Sequence, residues 1–150
     1  MNRKFPLQPL LELMRDRTDE ATRRLGQLVA AEQSARSRLQ LLQDYRREYL
    51  QKFQEAQTQG LTLLAWQNYQ DFLAKIDEAI RTQMEQVELS ARNTQQGQEH
   101  WQTQNRKLKA IDTLAIRHQG KLQQQENRQE QKLMDEFASR HHQTAPRDTE

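Results

Sequence analysis

The side chains best suited to chemistry are four histidines, a set of carboxylates and several clusters of basic residues. His141 and His142 are adjacent. Helix neighbours point about 100° apart, so this pair does not close on one metal ion. His118 recurs in step with apolar residues and reads as a polar member of a helix seam. The absence of Cys removes a thiolate nucleophile, a thiolate metal site and a disulfide framework. No Gly-rich phosphate loop and no Gly-flanked nucleophilic Ser is present. Carboxylates are abundant, but acid–base work needs a concave, desolvated site, and the helical pattern below supplies none. No enzymatic activity, metal or cofactor is expected.

The basic clusters Arg23–Arg24, Arg46–Arg47 and Arg106, Lys107, Lys109 can meet phosphates. They are interleaved with acids such as Asp16, Asp19 and Glu20, which reads as a solvated helix face with i,i+4 pairing. A nucleic-acid-binding coiled coil stays open as an alternative. Its mark would be affinity that falls steeply with salt. Residues 1–50 hold 10 Lys/Arg against 7 Asp/Glu, residues 51–100 hold 4 against 7, and residues 101–150 hold 9 against 7. The middle is therefore acidic and both ends are basic.

Six of the nine aromatics gather in two stretches, "LQLLQDYRREYLQKF" at 39–53 and "WQNYQDFLAKIDEAI" at 66–80, on either side of a short segment containing Gly60. A seam of alternating four- and three-residue steps runs through Leu7, Leu11, Met14, Thr18, Ala21, Leu25, Leu28, Glu32, Ala35, Leu39, Leu42, Arg46, Tyr49, Phe53 and Ala56. Twelve of these fifteen positions are apolar. That is the pattern of a coiled coil. The seam resumes from Trp66 through Tyr69, Leu73, Ile76, Ile80, Gln83 and Val87 to Trp101, Leu108, Ile111, His118 and Leu122. Leu133, Met134 and Phe137 form a separate apolar cluster. The polar Glu32 and Arg46 cost stability in the seam and help to fix its register.

The segment "QTQGLTLLA" is short enough to force an antiparallel return. Trp101 is then expected opposite Thr18 and Ala21, and Gly97 opposite Leu25, large against small. The fold expected is all-α: two long helices in an antiparallel coiled-coil hairpin, the second overhanging the first past Leu114, with a frayed C-terminal tail. As one domain over 1–150, it has a helix at about 7–57, a turn at about 58–63, a helix at about 64–138 and a polar tail at 139–150. Composition agrees. Mean hydropathy is −1.15 and Gln is the commonest residue, too polar for a globular core of this length. Only four Gly and three Pro interrupt the helix formers. No apolar run reaches the roughly 20 residues of a membrane span. Met1–Met14 faintly resembles a signal peptide, but Pro6, Pro9 and Glu12 break it. The chain reads as soluble and cytoplasmic.

Tyr49, Phe53, Trp66 and Tyr69 lie on the seam and are expected to fill it. Tyr45 and Phe72 fall beside it at heptad position g, where antiparallel pairing brings their rings together; Arg38 and Ala79 also occupy g. These two rings either widen the core or form a patch for a partner. Exposed aromatics beside Arg are typical of binding hot spots.

Four stretches in order, "RTDEATRRLG" at 17–26, "LLQDYRREY" at 41–49, "NYQDF" at 68–72 and "QKLMDEFASR" at 131–140, resemble the FliJ family of the bacterial flagellar type III export apparatus. The resemblance covers nearly the whole chain without insertion. It implies a soluble, non-enzymatic export component whose coiled coil is similar to the two-helix stalk of rotary ATPases. It implies partners: the hexameric export ATPase FliI, the linker of the export-gate membrane protein FlhA, and export chaperones. It implies work at the cytoplasmic membrane, reached peripherally through the gate. Carried over by position, the gate contact maps to Arg38, Leu42, Tyr45, Tyr49, Phe72, Ile76, Ala79 and Gln83, all at d or g. Arg38 and Gln83 depart from the residue types of relatives. By analogy with the stalk, the ATPase is expected at Met14, Arg23, Arg24, Leu133 and Phe137. The stalk protein of a virulence secretion system is the other reading of the resemblance.

Overall fold

The computed structural model describes residues 4–144. Two helices account for almost all of them: α1, Gln8–Gln59, and α2, Leu63–Thr144. They pack against each other as an antiparallel hairpin, and no strand occurs among the described residues. Each boundary has a local cause. Leu7 accepts from Leu11 N and Phe5 from Gln8 N, and Pro9 sits in the first turn, where its missing N–H costs nothing. Gly60 ends α1 with φ 95° and donates its N–H to Gln57 O at 3.3 Å, the left-handed stop that glycine adopts without strain. Thr62 starts α2: its Oγ1 accepts from Ala65 N at 3.1 Å and its carbonyl from Trp66 N at 3.0 Å, the work of an N-cap. α2 runs on to Thr144, into the segment expected as polar tail, because nothing between Ala138 and Gln143 stops a helix. The remainder, 145–150, lies outside the described residues.

The chain divides into two compact units. The first, 18–104, carries the turn. Its core is Ala21, Ala35, Phe53, Leu73 and Ile76, each at most 9% exposed. Every one is a seam position. Large meets small as the register requires. A Cβ on Gly97 would lie 2.5 Å from Leu28 Cδ1 and 3.6 Å from Leu25 Cδ1. Trp101 Nε1 donates to Thr22 Oγ1 at 2.8 Å. Polar seam residues bond to the opposite backbone: Gln83 Nε2 donates to Ala35 O at 2.9 Å, and the Thr94 hydroxyl shares its proton between Leu28 O and Ser90 O. Arg46 leaves the seam sideways to bind Asp77 at 2.6 Å. At its partial exposure this bridge adds at most about 1 kcal/mol, so it orients more than it stabilises. Glu32 pairs with Arg36 on its own helix.

One seam expectation fails here. Trp66 is 42% exposed. In register Ala56 stands opposite, a methyl group too small to cover an indole, and α1 ends three residues later. Trp66 is the fourth residue after the N-cap Thr62, with Leu61 just before the cap, the N4 and N′ positions of a hydrophobic staple.

The second unit joins residues up to 17 with residues from 105 onward. Leu11 and Met14 are its buried α1 positions. Phe5 lies against His118, ring centroids 5.5 Å apart, and Arg15 reaches Asp112 at 3.8 Å. From Gln119 to Gln143 α2 becomes progressively uncovered; Leu122 and Glu126 are still half-buried and everything from Asn127 to Gln143 is exposed.

Two pairs of substitutions test this account by thermal and urea unfolding. Gly97→Leu is expected to lower stability by about 1–3 kcal/mol, because the added side chain overpacks against Leu28. Gly26→Ala, where nothing lies within 4 Å, is expected to raise stability by about 0.5–1 kcal/mol through helix propensity. At the turn, Gly60→Val and Thr62→Ala are each expected to cost about 1–2 kcal/mol, the first through left-handed strain and the second through a lost cap.

Candidate functional site

The side chains beside the turn build an aromatic ladder. Two neighbouring turns of α1 offer Tyr45, Tyr49 and Phe53; α2 returns Phe72 and Tyr69. Phe53 meets Tyr69 at 5.1 Å, Tyr69 meets Tyr49 at 5.3 Å, Tyr49 meets Phe72 at 4.5 Å, and Phe72 meets Tyr45 at 6.1 Å with the rings nearly perpendicular. Edge-to-face and tilted rings at these separations attract beyond simple area burial. The ladder grades from buried to open. Phe53 is 6% exposed and Tyr45 48% exposed, with Phe72, Tyr49 and Tyr69 between. The g-position pair thus meets as the heptad register requires, and Tyr45 is its accessible face.

Burial, followed by the neighbouring Tyr69 and Tyr45 phenols, raises the Tyr49 hydroxyl above its ordinary value of 10.0. It is a neutral phenol at physiological pH and adds no charge to the patch.

The other residues expected in the gate patch divide by accessibility. Arg38 and Ala79 are exposed, and Leu42 is half-buried. Ile76 is 5% exposed and supports the surface from behind. Gln83 is half-buried and already committed to Ala35 O. The face available for contact is therefore Arg38, Leu42, Tyr45, Phe72 and Ala79, backed by Tyr49 and Ile76. Its rim is charged: Asp44 accepts from Gln40 and pairs with Arg47 at 3.5 Å, and Arg46 pairs with Asp77. An apolar centre with a charged rim is the usual anatomy of a protein-binding surface.

The residues expected at the ATPase differ in accessibility. In the unit that holds the chain ends, Met14 is 7% exposed, whereas Leu133 and Phe137 are 65% and 73% exposed. Met14 belongs to the packed seam. Leu133 lies 15 residues beyond His118, about 22 Å further along the helix, so Met14 and Leu133 do not share a site. Leu133, Met134 and Phe137 form an uncovered apolar face on α2, with Phe137 stacked on His141 at 6.2 Å. Arg23 and Arg24, in the other unit, are exposed.

Among the described residues no group of three His, Asp or Glu side chains is placed to hold a metal ion, and no helix is long and apolar enough to cross a membrane. Periodicity put Trp66 in the seam and did not single out the exposed apolar group that Leu63, Leu64 and Trp66 make at the start of α2. The signal that marks it is a gap rather than a motif, since residues 56–70 contain no charged side chain.

With this geometry, comparison with known proteins is informative. The chain matches the model of the family described as "Flagellar FliJ protein" over residues 3–147. It is 31% identical over 134 residues to the flagellar FliJ protein of Escherichia coli strain K12, covering 89% of this chain and 91% of the relative. The flagellar FliJ protein of Salmonella typhi matches with the same identity and coverage. A solved structure described as a YscO homologue from Chlamydia trachomatis superposes with a TM-score of 0.59 at 17% identity, over 93% of this chain and 95% of that one; at that identity the likeness is one of fold. The chain belongs to the flagellar FliJ protein family.

Proposed function

We propose that this protein is a non-enzymatic coiled-coil stalk of flagellar type III export. In this reading it links the export ATPase FliI to the linker of the gate protein FlhA and exchanges export chaperones. It works in the cytoplasm, held at the membrane through the gate. Family membership supports the general role. The observation that carries the specific one is the Tyr45–Phe72 pair: two rings in contact, one of them 48% exposed, set among Arg38, Leu42 and Ala79 beside the turn. A buried seam position has a packing reason to be aromatic; Tyr45 at the edge of the seam has a weaker one. Aromatic anchors with a nearby Arg concentrate binding energy in protein interfaces.

The Leu133–Met134–Phe137 face suits a second contact. It lies on α2 where α1 no longer covers it, and three large apolar side chains there gain little in water. Assigned to the ATPase, it separates the two partners along the chain. Leu133 and Phe137 then act directly, Met14 acts through the seam, and Arg23 and Arg24 add charge that steers association rather than affinity.

Two measurements distinguish these contacts. Tyr45→Ala combined with Phe72→Ala is expected to weaken binding to the FlhA linker by about 30-fold or more, the scale of losing a hot spot, with helical content retained. Unchanged affinity in the folded double variant would remove the gate assignment. Leu133→Asp combined with Phe137→Asp is expected to abolish stimulation of ATP hydrolysis by FliI while leaving FlhA binding intact. Both residues are exposed, so the variant keeps its fold. Full stimulation by that variant would place the ATPase contact elsewhere.

A further inference from the structure

Residues 56–70 contain no Asp, Glu, Lys or Arg in a chain of which 29% is charged. The gap spans both arms of the turn, from Glu55 on α1 to Asp71 on α2. It includes the two places where a helix most readily carries charge. The last turn of α1 has no basic residue and the first turn of α2 no acidic one, although each would interact favourably with its helix dipole. Side by side in an antiparallel pair, the two helix ends offset one another, so the turn is electrically quiet without side-chain charges. Its backbone makes three local hydrogen bonds, Gly60 N to Gln57 O, Ala65 N to Thr62 Oγ1 and Trp66 N to Thr62 O, and the remaining N–H and C=O groups of the two helix ends suit a hydrated headgroup layer rather than hydrocarbon. Leu63, Leu64 and Trp66, 72%, 68% and 42% exposed, stand in the middle of this uncharged segment.

Ordinary solubility selects against such an arrangement, since an exposed leucine pair at a helix start is easily replaced by polar residues. A bilayer interface selects for it: no charge to desolvate and apolar side chains to bury. We propose that the turn inserts into the interfacial layer of a lipid bilayer, with Leu63, Leu64 and Trp66 below the headgroups.

The dimensions favour a bilayer surface over a protein groove. The charge-free run is four residues on α1 and eight on α2, about 6 Å and 12 Å of helix. This brackets the roughly 5–10 Å to which interfacial segments sink. Trp is enriched at that depth. Gln57, Thr58, Gln59, Gln67, Asn68 and Gln70 are polar but uncharged, matched to the headgroup layer. The first charges beyond are Lys52 and Lys75 against Glu55 and Asp71. They balance, so the contact is apolar and does not call for anionic lipid. Phe72 lies nine residues along α2 from Leu63, about 14 Å, and stays outside the membrane. The lipid contact is therefore independent of the gate patch proposed above.

The test uses the full chain with phosphatidylcholine vesicles at millimolar lipid, because a few apolar side chains bind a bilayer only weakly. In a Trp101→Phe background Trp66 is the sole indole, and circular dichroism checks that the helices survive loss of the bond to Thr22. The expected result is co-sedimentation with vesicles and a blue shift of Trp66 emission, unchanged by added salt and by phosphatidylglycerol. Leu63→Glu combined with Leu64→Glu is expected to reduce binding at least about tenfold. Tyr45→Ala with Phe72→Ala leaves it unchanged. The proposal is overturned if Trp66 emission does not shift, if salt abolishes binding, or if the double-Glu variant binds as well as the parent. The first of those outcomes would reassign the uncharged turn to a groove on a protein.

Discussion

Everything in this molecule depends on one narrow contact, the heptad seam along which α1 and α2 bury each other. Few side chains in the chain are well buried, and nearly all of them sit at the repeating positions predicted from the sequence. Among the described residues no second layer supports them. A seam this thin leaves each helix solvated over most of its circumference, which is why so polar a sequence folds at all. It also leaves little apolar material to spare. Aromatics placed beside the seam rather than in it, such as Tyr45, are for that reason informative about contacts with other molecules.

Much of this was legible because the period of the apolar pattern fixes which residues face one another. The register placed Trp101 opposite Thr18 and Ala21, Gly97 opposite Leu25 and Tyr45 beside Phe72; in the structure Trp101 bonds the neighbouring Thr22, Gly97 lies against Leu25 and Leu28, and Tyr45 meets Phe72. The pattern failed at Trp66. A heptad counts positions along one helix and does not register that the partner helix has run out, nor that Ala56 is too small to cover an indole. The analogy with the stalk, not the pattern, grouped Met14 with Leu133 and Phe137, and one is packed while the other two are bare. The uncharged turn escaped notice for a different reason. Pattern recognition looks for residues that are present, and this feature consists of a class that is missing.

The candidate site was legible in a similarly divided way. Positions d and g identify a ribbon, but they do not grade it. Ile76 is nearly sealed and Gln83 is engaged with backbone, while Arg38 and Ala79 face solvent. That grading comes from the angle at which the two helices present their edges, and from hydrogen bonds whose acceptors are carbonyls and so leave no trace in the side-chain sequence.

Those carbonyl acceptors have a consequence of their own. Gln83 and Thr94 hold the register by bonding to the main-chain oxygens of residues 35 and 28, and a main-chain oxygen is the one group that no substitution removes. A lock of this kind constrains a single partner instead of two. The residue facing Gln83 or Thr94 is free to change, subject only to size, without any matching change across the interface. Alignment of the two arms is thereby uncoupled from much of the composition along them. Descendants of such a hairpin can diverge widely in sequence and still meet residue against residue in the same order.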